Sequence, residues 1–375
     1  MSNVNPTVSV VMSVYNTPED VLQEAIDSIL LQTWKDLEFI IVDDCSNEPI
    51  QAFLHYIAQK DKRIVLLRNQ TNSGLARSLN LAIGQSRGEF IARMDSDDVA
   101  LLDRLEKQVA FLREFQDVDV LGTEALLLTP ERKYRKMRRR PNLPWQIQGR
   151  LPYGCQGVLH PSVLMRASLF RTHGFAYNEE FKVAQDFELW SRIGLKHKIY
   201  VLPDKLMLYR QSNYQVSVAK KELQVAMRAK VILNSLEHFQ LDPTEEEKQL
   251  HIQLAHGKEV RSVKALDAWV KKLIQANRQL NLYDHVAFEY YTQRRRLDSV
   301  LHAISHKSRP SNDPNEPKPE RPYPGALMLA FTKYSNAAIP FNYTTQMHRN
   351  PYLAFSAPKT RDKNVDIENE TPREN

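Results

Sequence analysis

The chain has 375 residues, of which 42% are hydrophobic and 26% charged, and its formal net charge is +6. This composition is typical of a globular protein, and the lack of a run of about 20 apolar residues argues against a membrane-spanning segment. The basic balance suits an anionic partner such as nucleotide phosphates, while the two widely separated cysteines, Cys45 and Cys155, argue against a disulfide framework and a thiolate metal site.

The N-terminal segment alternates between strand and helix patterns. Val8–Val14 and residues 37–42 are short, β-branched and nearly unbroken apolar runs, as in strands covered on both faces. Apolar residues between them recur at helical spacing, with Thr17 expected as the N-cap and Pro18 at the first helical position. These features predict a right-handed βαβ unit.

The alternation continues along the next fifty residues. The sequence predicts a strand at 64–67, a helix at about 75–85, a strand at 89–94 and a helix at about 101–115. Alternation of this kind predicts a doubly wound α/β sheet, in which ligands bind at the carboxyl ends of the strands where the winding reverses. The residues expected there are Tyr15 and Asn16, Asp43 and Asp44, and Asp95 to Asp98.

The remainder of the chain divides by composition. Residues 118–211 have a less regular pattern, for which we expect shorter strands and the acceptor side of a site. Residues 245–304 are rich in helix formers with apolar residues three and four apart, which predicts a helical extension. Proline and charge dominate residues 308–324, and the last fifteen residues are polar, which predicts a linker and a disordered tail. The predicted regions are an α/β domain at 1–214, a helical extension at 215–307 and a largely irregular tail at 308–375.

The strongest chemical signal is the run Met94-Asp95-Ser96-Asp97-Asp98, directly after an apolar strand. Three carboxylates so close together repel one another unless a cation neutralises them, and oxygen ligands suit Mn²⁺ or Mg²⁺. A metal ion bridging a diphosphate is the natural occupant. The alternative is that these acids only cap the following helix.

Two further strand ends carry polar groups. Asp44, after the second strand, could accept a hydrogen bond from the N3–H of uracil or from a ribose hydroxyl, or else close an Asx turn. Arg77 lies in the first turn of a helix that follows the polar turn Asn72-Ser73-Gly74, where it could meet a phosphate or a ribose. In the alternative interpretation Asn72 caps the helix and Arg77 faces solvent.

Asp186 lies in the aromatic-rich run Gln185-Asp186-Phe187-Glu188-Leu189-Trp190. If it begins a helix in a cleft, it can act as general base toward an acceptor hydroxyl. The two-residue offset to Glu188 directs the two carboxylates differently on a helix, so we do not expect them to share a role. A simple N-cap is the alternative for Asp186.

Together these segments resemble the family 2 glycosyltransferases, which have the GT-A fold. The pieces stand in the family's order over about residues 8–209: VSVVMSVYN, SILLQTWKDLEFIIVDDCS, NSGLARSLNLAI, GEFIARMDSDD, HPSVLMR and AQDFELWSRI. The resemblance implies an α/β GT-A sheet followed by a helical extension. It also implies an inverting transfer of sugar from a UDP-sugar to an acceptor hydroxyl, with Mn²⁺ or Mg²⁺ on the diphosphate.

The resemblance also assigns roles to individual residues. Asp186 stands where the family places its catalytic base, and Asp44 where it contacts uracil. The family often has glycine where Cys45 stands and glutamate where Gln185 stands. The nucleotide-binding set is Ser13, Tyr15, Asn16, Asp44, Arg77, Asp95 and Asp97, and the metal ligands are Asp97 and Asp98.

The expected partners follow from the same resemblance. The acceptor would be a saccharide or lipid-linked saccharide of a surface polysaccharide, and we expect no nucleic acid. The N-terminus lacks the basic segment of a secretory signal, so we expect a cytoplasmic protein that could work at the inner face of the cell membrane. A basic segment could face phosphate or an acidic membrane surface, or could simply be a solvated loop; it comprises Arg132, Lys133, Arg135, Lys136, Arg138, Arg139 and Arg140.

Three other functions compete with this interpretation. A hydride-transferring Rossmann enzyme and a nucleotidyltransferase both need a Gly-rich phosphate loop near the N-terminus, and residues 13–18 contain no glycine. A non-catalytic scaffold on a GT-A-like fold would not need the acids Asp97, Asp98 and Asp186.

His160, in an HPS run that the family often carries on the acceptor side, is the type of lone histidine that is more often structural.

Overall fold

The computed structural model describes residues 5–137, 143–154, 157–211, 221–258 and 260–307, without the side chains of 221 and 304–307. All of them belong to one compact unit. The expectations for Cys155, for Arg138, Arg139 and Arg140, for the Pro-rich linker and for the C-terminal tail lie outside these residues.

Nine strands of the described residues form one mixed sheet. Its order is β3-β2-β1-β4-β8-β6-β9-β5, and β7 pairs with β6 off this path. The strands are β1 (Val8–Val14), β2 (Leu37–Asp43), β3 (Ile64–Arg68), β4 (Phe90–Asp95), β5 (Val99–Ala100), β6 (Val118–Leu128), β7 (Tyr134–Lys136), β8 (Leu164–Arg166) and β9 (Lys198–Arg210).

Helices cover the sheet and continue beyond it. Those of the sheet region are α1 (Glu19–Leu30), α2 (Glu48–Lys60), α3 (Leu75–Gln85), α4 (Arg104–Glu114), α5 (Pro144–Gln148), α6 (Ser168–Arg171) and α7 (Gln185–Ile193). Those that follow, named the helical extension, are α8 (Lys221–Asn234), α9 (Glu245–His256), α10 (Val263–Leu280) and α11 (His285–Lys307). Short 3₁₀ helices lie at Leu151–Tyr153, His160–Ser162 and Ser235–Phe239.

The strands β3, β2, β1 and β4 are parallel and form the half of the sheet that the sequence predicted best. Every residue of β2 is buried, as expected of a strand covered on both faces. The chain winds from β1 to β2 to β3 in one direction and then places β4 on the other side of β1. The winding therefore reverses between β1 and β4, which is where ligands bind in such sheets.

The other half of the sheet differs from the expectation of short strands. β6 has 11 residues and β9 has 13, and they pair in parallel over most of their length. The pairing shifts register between Val118 and Val120 and again on both sides of Glu124, and Pro203 lies inside β9. Bulges and a proline interrupt the period-two pattern, so these strands are not visible as long strands in the sequence.

The start of α1 also differs from the prediction. The helix begins at Glu19, so Pro18 is the N-cap residue and Thr17 is not. The Thr17 hydroxyl instead shares a hydrogen bond of 2.7 Å with the Ser96 hydroxyl. The Thr17 side chain therefore contacts Ser96 of the acidic run rather than the first turn of α1. Glu19 and Asp20, in that first turn, supply the negative charge that stabilises a helix N-terminus.

The helical extension is joined to the sheet region through buried contacts. His251 Nε2 lies 3.1 Å from the carbonyl oxygen of Pro152, and the hydroxyls of Tyr153 and Thr292 lie 2.6 Å apart. The predicted helical stretch 245–304 is present as α9, α10 and α11, and the structure adds α8. The division of the chain at residues 214 and 307 stays a prediction.

We predict that Gly149→Ala destabilises the protein, because the added methyl group would push the helical extension away from the sheet region. A Cβ at Gly149 would lie 2.8 Å from the carbonyl carbon of Ala287 and 2.9 Å from the ring of Tyr291. Overpacking of this kind costs about 1–3 kcal/mol, measurable from urea unfolding. Gly84→Ala is the control, because a Cβ there meets nothing within 4 Å and alanine favours a helix by about 0.5–1 kcal/mol. Equal unfolding midpoints for Gly149→Ala and the unmodified protein would contradict the described packing.

Candidate active site

The predicted site residues after β1, β2 and β4 lie at one edge of the sheet. Ser13 is the register partner of Asp95, and Val14 is the register partner of Asp43. The parallel pairing therefore brings the loop after β1 beside both acidic strand ends. Tyr15, the first residue of that loop, is 53% exposed and available to a ligand.

The loops after β1 and β2 hold one another in place. The Asn16 N–H donates to Ser46 Oγ at 3.1 Å, and Asn16 Oδ1 accepts from the Asn47 N–H at 2.9 Å. Asn16 and Cys45 have φ values of +51° and +65°, in the left-handed region. Because this region costs a residue with a Cβ about 1–2 kcal/mol, it explains why the family often has glycine where Cys45 stands.

Asp44 fixes the loop that leads into α3. Its Oδ1 accepts from Asn69 Nδ2 at 2.6 Å and from the Ser73 N–H at 2.8 Å, and its Oδ2 accepts from the Gly74 N–H at 2.8 Å. Gly74, with φ of +87°, is the N-cap residue of α3, so Asn72 does not cap that helix. Arg77 lies in the first turn of α3 with its side chain exposed.

The acidic run after β4 forms a tight cluster. One carboxylate oxygen from each of Asp95, Asp97 and Asp98 lies within 4.8 Å of the others. Asp98 is fully buried, and its Oδ1 accepts from the Arg210 N–H at 2.8 Å. Its Oδ2 has no hydrogen-bond partner among the described residues. A buried anionic oxygen without a donor, beside two more carboxylates, fits the oxygen set that a hard divalent cation takes.

The cluster is electrostatically strained. Burial and the neighbouring charge of Asp95 raise the pKa of Asp97 to about 6. Burial, with Asp95 and Asp97, also raises the pKa of Asp98 well above its usual range. Because a metal ligand must be deprotonated, a divalent cation would compete with protons here, and its affinity would fall at acid pH.

A hydrogen bond and two ion pairs connect this cluster to the basic segment. Arg210 Nε donates to the backbone oxygen of Asp97 at 2.7 Å, and Arg210 Nη2 donates to Glu24 at 2.5 Å. Glu24 also accepts from Arg132 at 2.7 Å. Arg132 is therefore paired with a residue of α1, and Lys133, Arg135 and Lys136 are exposed.

Asp186 lies in the first turn of α7, which begins at Gln185. The N-cap residue is Ala184 in the left-handed region with φ of +60°, so the interpretation of Asp186 as an N-cap is wrong. Burial raises the pKa of Asp186, and the charges of Arg93 and Arg228 oppose that rise. Glu188 pairs with Arg192 at 2.6 Å, so its carboxylate is already engaged.

Arg93 links the acidic cluster to the Asp186 side of the site. Its guanidinium is fully buried, and Nη2 donates to Asp95 Oδ1. The charge of Arg93 acts on Asp97 and Asp98 as well as on Asp186. Arg93 is not among the site residues predicted from the sequence. An arginine inside the apolar strand FIARMD is nevertheless unusual and could have marked it as one.

His160 lies on the same side as Asp186. Its Nε2 lies 2.7 Å from the Tyr177 hydroxyl, and both side chains are buried. Burial lowers the pKa of His160 well below its usual range, so the ring is neutral. The charges of Arg93 and Asp186 act on the Tyr177 phenol, so this buried pair lies near both residues.

Comparison with known proteins finds similar glycosyltransferases. The family model described as Glycosyl transferase family 2 matches residues 9–174. The uncharacterised glycosyltransferase MJ1057 of Methanocaldococcus jannaschii is 32% identical over 239 residues, which cover 62% of this chain and 82% of that protein. A protein of Bacillus subtilis named for teichuronic acid biosynthesis, glycosyltransferase TuaG, is 38% identical over 114 residues, or 30% of this chain and 45% of that protein.

A solved structure shares the architecture. TarS 1-349 of S. aureus in complex with UDP-GlcNAc has a TM-score of 0.53 and 19% identity, over 84% of this chain and 99% of that chain. At this identity the likeness concerns the fold, and it confirms the predicted GT-A type. Among the described residues, no helix combines the length and apolar character that crossing a membrane requires.

We predict that Asp44→Asn destabilises the protein even without nucleotide. The amide NH₂ would face the backbone N–H of either Ser73 or Gly74, so at least one hydrogen bond to a charged acceptor is lost. Such a bond contributes about 1.5–3 kcal/mol, which urea unfolding would detect. Asp242→Asn, at an exposed position, is the control. An unchanged free energy of unfolding for Asp44→Asn would show that Asp44 does not hold this loop.

Proposed function

The chain belongs to glycosyltransferase family 2, and on that premise we propose that it transfers a sugar from a UDP-sugar to a hydroxyl group of a saccharide or lipid-linked saccharide, with inversion. One observation carries the proposal: Arg93 joins the acidic cluster to the Asp186 side, so a donor and an acceptor could meet between them. The UDP-GlcNAc bound by TarS supports the donor class, and the name of TuaG supports a surface polysaccharide as product.

The donor half would consist of the loops after β1 and β2 and the start of α3. Asp44 Oδ2 accepts one internal hydrogen bond, so a lone pair is left for the N3–H of uracil. Ser13, Tyr15 and Asn16 would border the nucleotide, with the exposed Tyr15 ring offering an apolar face. Arg77, in the first turn of α3, would meet phosphate or ribose together with the helix N-terminus.

The acidic cluster would complete the donor half. Asp97 and Asp98, with Asp95 beside them, would hold Mn²⁺ or Mg²⁺. A divalent cation stabilises the negative charge that develops on a leaving diphosphate. The Asp98 Oδ2 atom, buried and without a partner among the described residues, is the observation that favours a bound cation over a simple helix cap.

Asp186 would act as the general base. Its carboxylate takes the proton of the acceptor hydroxyl while that oxygen forms a bond to the anomeric carbon. The bond from the anomeric carbon to the diphosphate breaks on the opposite face, so an α-linked donor gives a β-linked product. Because burial raises the pKa of Asp186, this carboxylate is a stronger proton acceptor than a solvated aspartate.

Contact with an acidic membrane surface belongs to the same proposal. The exposed residues Lys133, Tyr134, Arg135 and Lys136 carry three positive charges and one aromatic ring on the short strand β7 and the turn before it. Each basic residue near an anionic membrane surface contributes about 1 kcal/mol. Such a contact would bring a lipid-linked acceptor to the site.

We predict that Asp98→Asn removes metal-dependent binding of UDP. The substitution takes one charge and one unpartnered oxygen from the cluster, and the UDP affinity measured calorimetrically with Mn²⁺ should fall at least about tenfold. Affinity without metal should not change. Glu114→Gln, which removes an exposed carboxylate on α4, is the control. The metal assignment is wrong if Asp98→Asn binds UDP with Mn²⁺ as tightly as the unmodified protein does.

A separate prediction concerns Asp186→Asn. UDP binding with Mn²⁺ should persist, because Asp186 lies outside the donor half, while transfer should fall about 10²–10⁴-fold through loss of the base. Transfer is measured as UDP release across a panel of UDP-sugars and saccharide acceptors. Glu180→Gln, an exposed site six residues earlier, is the control. Near-normal turnover in Asp186→Asn would exclude this residue as the base, and no turnover in the unmodified protein with any pair would favour a non-catalytic binding protein.

A further inference from the structure

Several basic side chains gather where the helical extension meets the sheet region, on the Asp186 side. Arg150 precedes the 3₁₀ helix at Leu151–Tyr153, Arg228 lies on α8, His256 ends α9, and Arg295 lies on α11. We name these four residues the basic junction. Three of them lie outside residues 9–174, the segment that the family model matches.

Arg228 is held next to the proposed base. Its guanidinium carbon lies 5.5 Å from the ring centroid of Phe187, the residue that follows Asp186. Gly154 packs so closely on the same ring that a Cβ there would lie 2.6 Å from it, which fixes the ring in place. The Arg228 charge acts both on Asp186 and on His256, so Arg228 lies near both of them.

Arg150 and Arg295 form the other side of the junction. The Arg150 guanidinium carbon lies 4.3 Å from the ring centroid of Tyr291, and Tyr291 and Arg295 are one helical turn apart on the same face of α11. A Cβ at Gly257 would lie 3.8 Å from Arg295 Nη1, so Arg295 reaches the end of α9 where His256 stands. His256 itself is exposed, which leaves the junction open to solvent on that side.

The junction holds more positive than negative charge. The Nε atoms of Arg150 and Arg228 are buried and have no hydrogen-bond partner among the described residues. Asp298 acts on Arg295, but its carboxylate already pairs with Arg294 at 3.5 Å. Buried guanidinium donors without acceptors are costly, and an anion that accepts from them would remove the cost.

We propose that the basic junction binds an anionic group, a phosphate or a carboxylate, carried by the acceptor, so that the acceptor is an anionic saccharide. The inference rests on the proposed function, because Asp186 marks where the acceptor hydroxyl lies. Guanidinium groups match phosphate and carboxylate oxygens with paired N–H donors. Arg228 lies against Phe187, the residue that follows the base. It would bind this anionic group there and so orient the acceptor hydroxyl toward Asp186.

The test uses the full chain saturated with UDP and Mg²⁺, so that the donor half is filled. Calorimetry compares three probes: a neutral hexose, the corresponding hexose 6-phosphate and inorganic phosphate. The unmodified protein should bind the hexose 6-phosphate at least about tenfold more tightly than either other probe. The double variant Arg228→Gln and Arg295→Gln should lose this preference. Lys271→Gln, an exposed lysine on α10, should keep it.

Two results would overturn the proposal. Equal binding of the hexose 6-phosphate to the unmodified protein and to the double variant would place the anion elsewhere, and equally tight binding of inorganic phosphate would make the junction a site for a free ion. If the double variant does not fold, the single variant Arg295→Gln, in a half-buried position, must show the same loss. Asp186→Asn should keep the hexose 6-phosphate affinity, so failure of the general-base assignment is distinguishable from failure of the junction.

Discussion

The carboxylates of Asp95, Asp97 and Asp98 repel one another at the centre of the candidate site. Their oxygens lie within 4.8 Å of one another at the end of a buried strand, where the low dielectric strengthens every charge interaction. Two arginines compensate part of this negative charge. Arg93 donates a hydrogen bond to Asp95, while Arg210 donates to the Asp97 backbone through its side chain and to the Asp98 carboxylate through its backbone N–H. The oxygen that remains without a donor is the one from which we infer a divalent cation. The fold thus concentrates negative charge at the winding reversal of the sheet, where the proposed cation would neutralise it.

The surrounding loops are rigid because polar groups across the sheet edge hold them. The Asp44 carboxylate accepts hydrogen bonds from Asn69, Ser73 and Gly74. Asn16 joins the loop after β1 to the loop after β2. Asn16, Cys45 and Ala184 adopt left-handed conformations at the borders of the site. Strained residues of this kind persist only where their surroundings fix them, and they collect around functional sites. A donor would therefore meet preformed loops on one side and the start of α7 on the other.

The helical extension contributes to the site as well as to stability. Its apolar residues share one core with the sheet region, and buried hydrogen bonds from Tyr153 and His251 cross the boundary. The same contact surface contains Arg150, Arg228 and Arg295. A chain that needs positive charge near its acceptor can place it on added helices without altering the strand ends that bind the donor. This division of labour is consistent with a family model that matches residues 9–174 alone.

Apart from α2, the sequence alone identified the order of strands and helices in the parallel half. It also identified the acids at the ends of β2 and β4 and in the first turn of α7. These features are local, because apolar periodicity and a carboxylate after a strand are visible within about ten residues. Only the tertiary structure decided what neutralises those acids. The Thr17 hydroxyl bonds to Ser96 instead of capping α1, β6 and β9 are long despite their bulges, and Arg210 and Arg228 act on aspartates far away in the chain. Arg93 contacts Asp95, two residues away, and its buried charge also acts on Asp186. Charge compensation acts through space over several ångströms, so no local pattern identifies which distant arginine will stand beside a given aspartate.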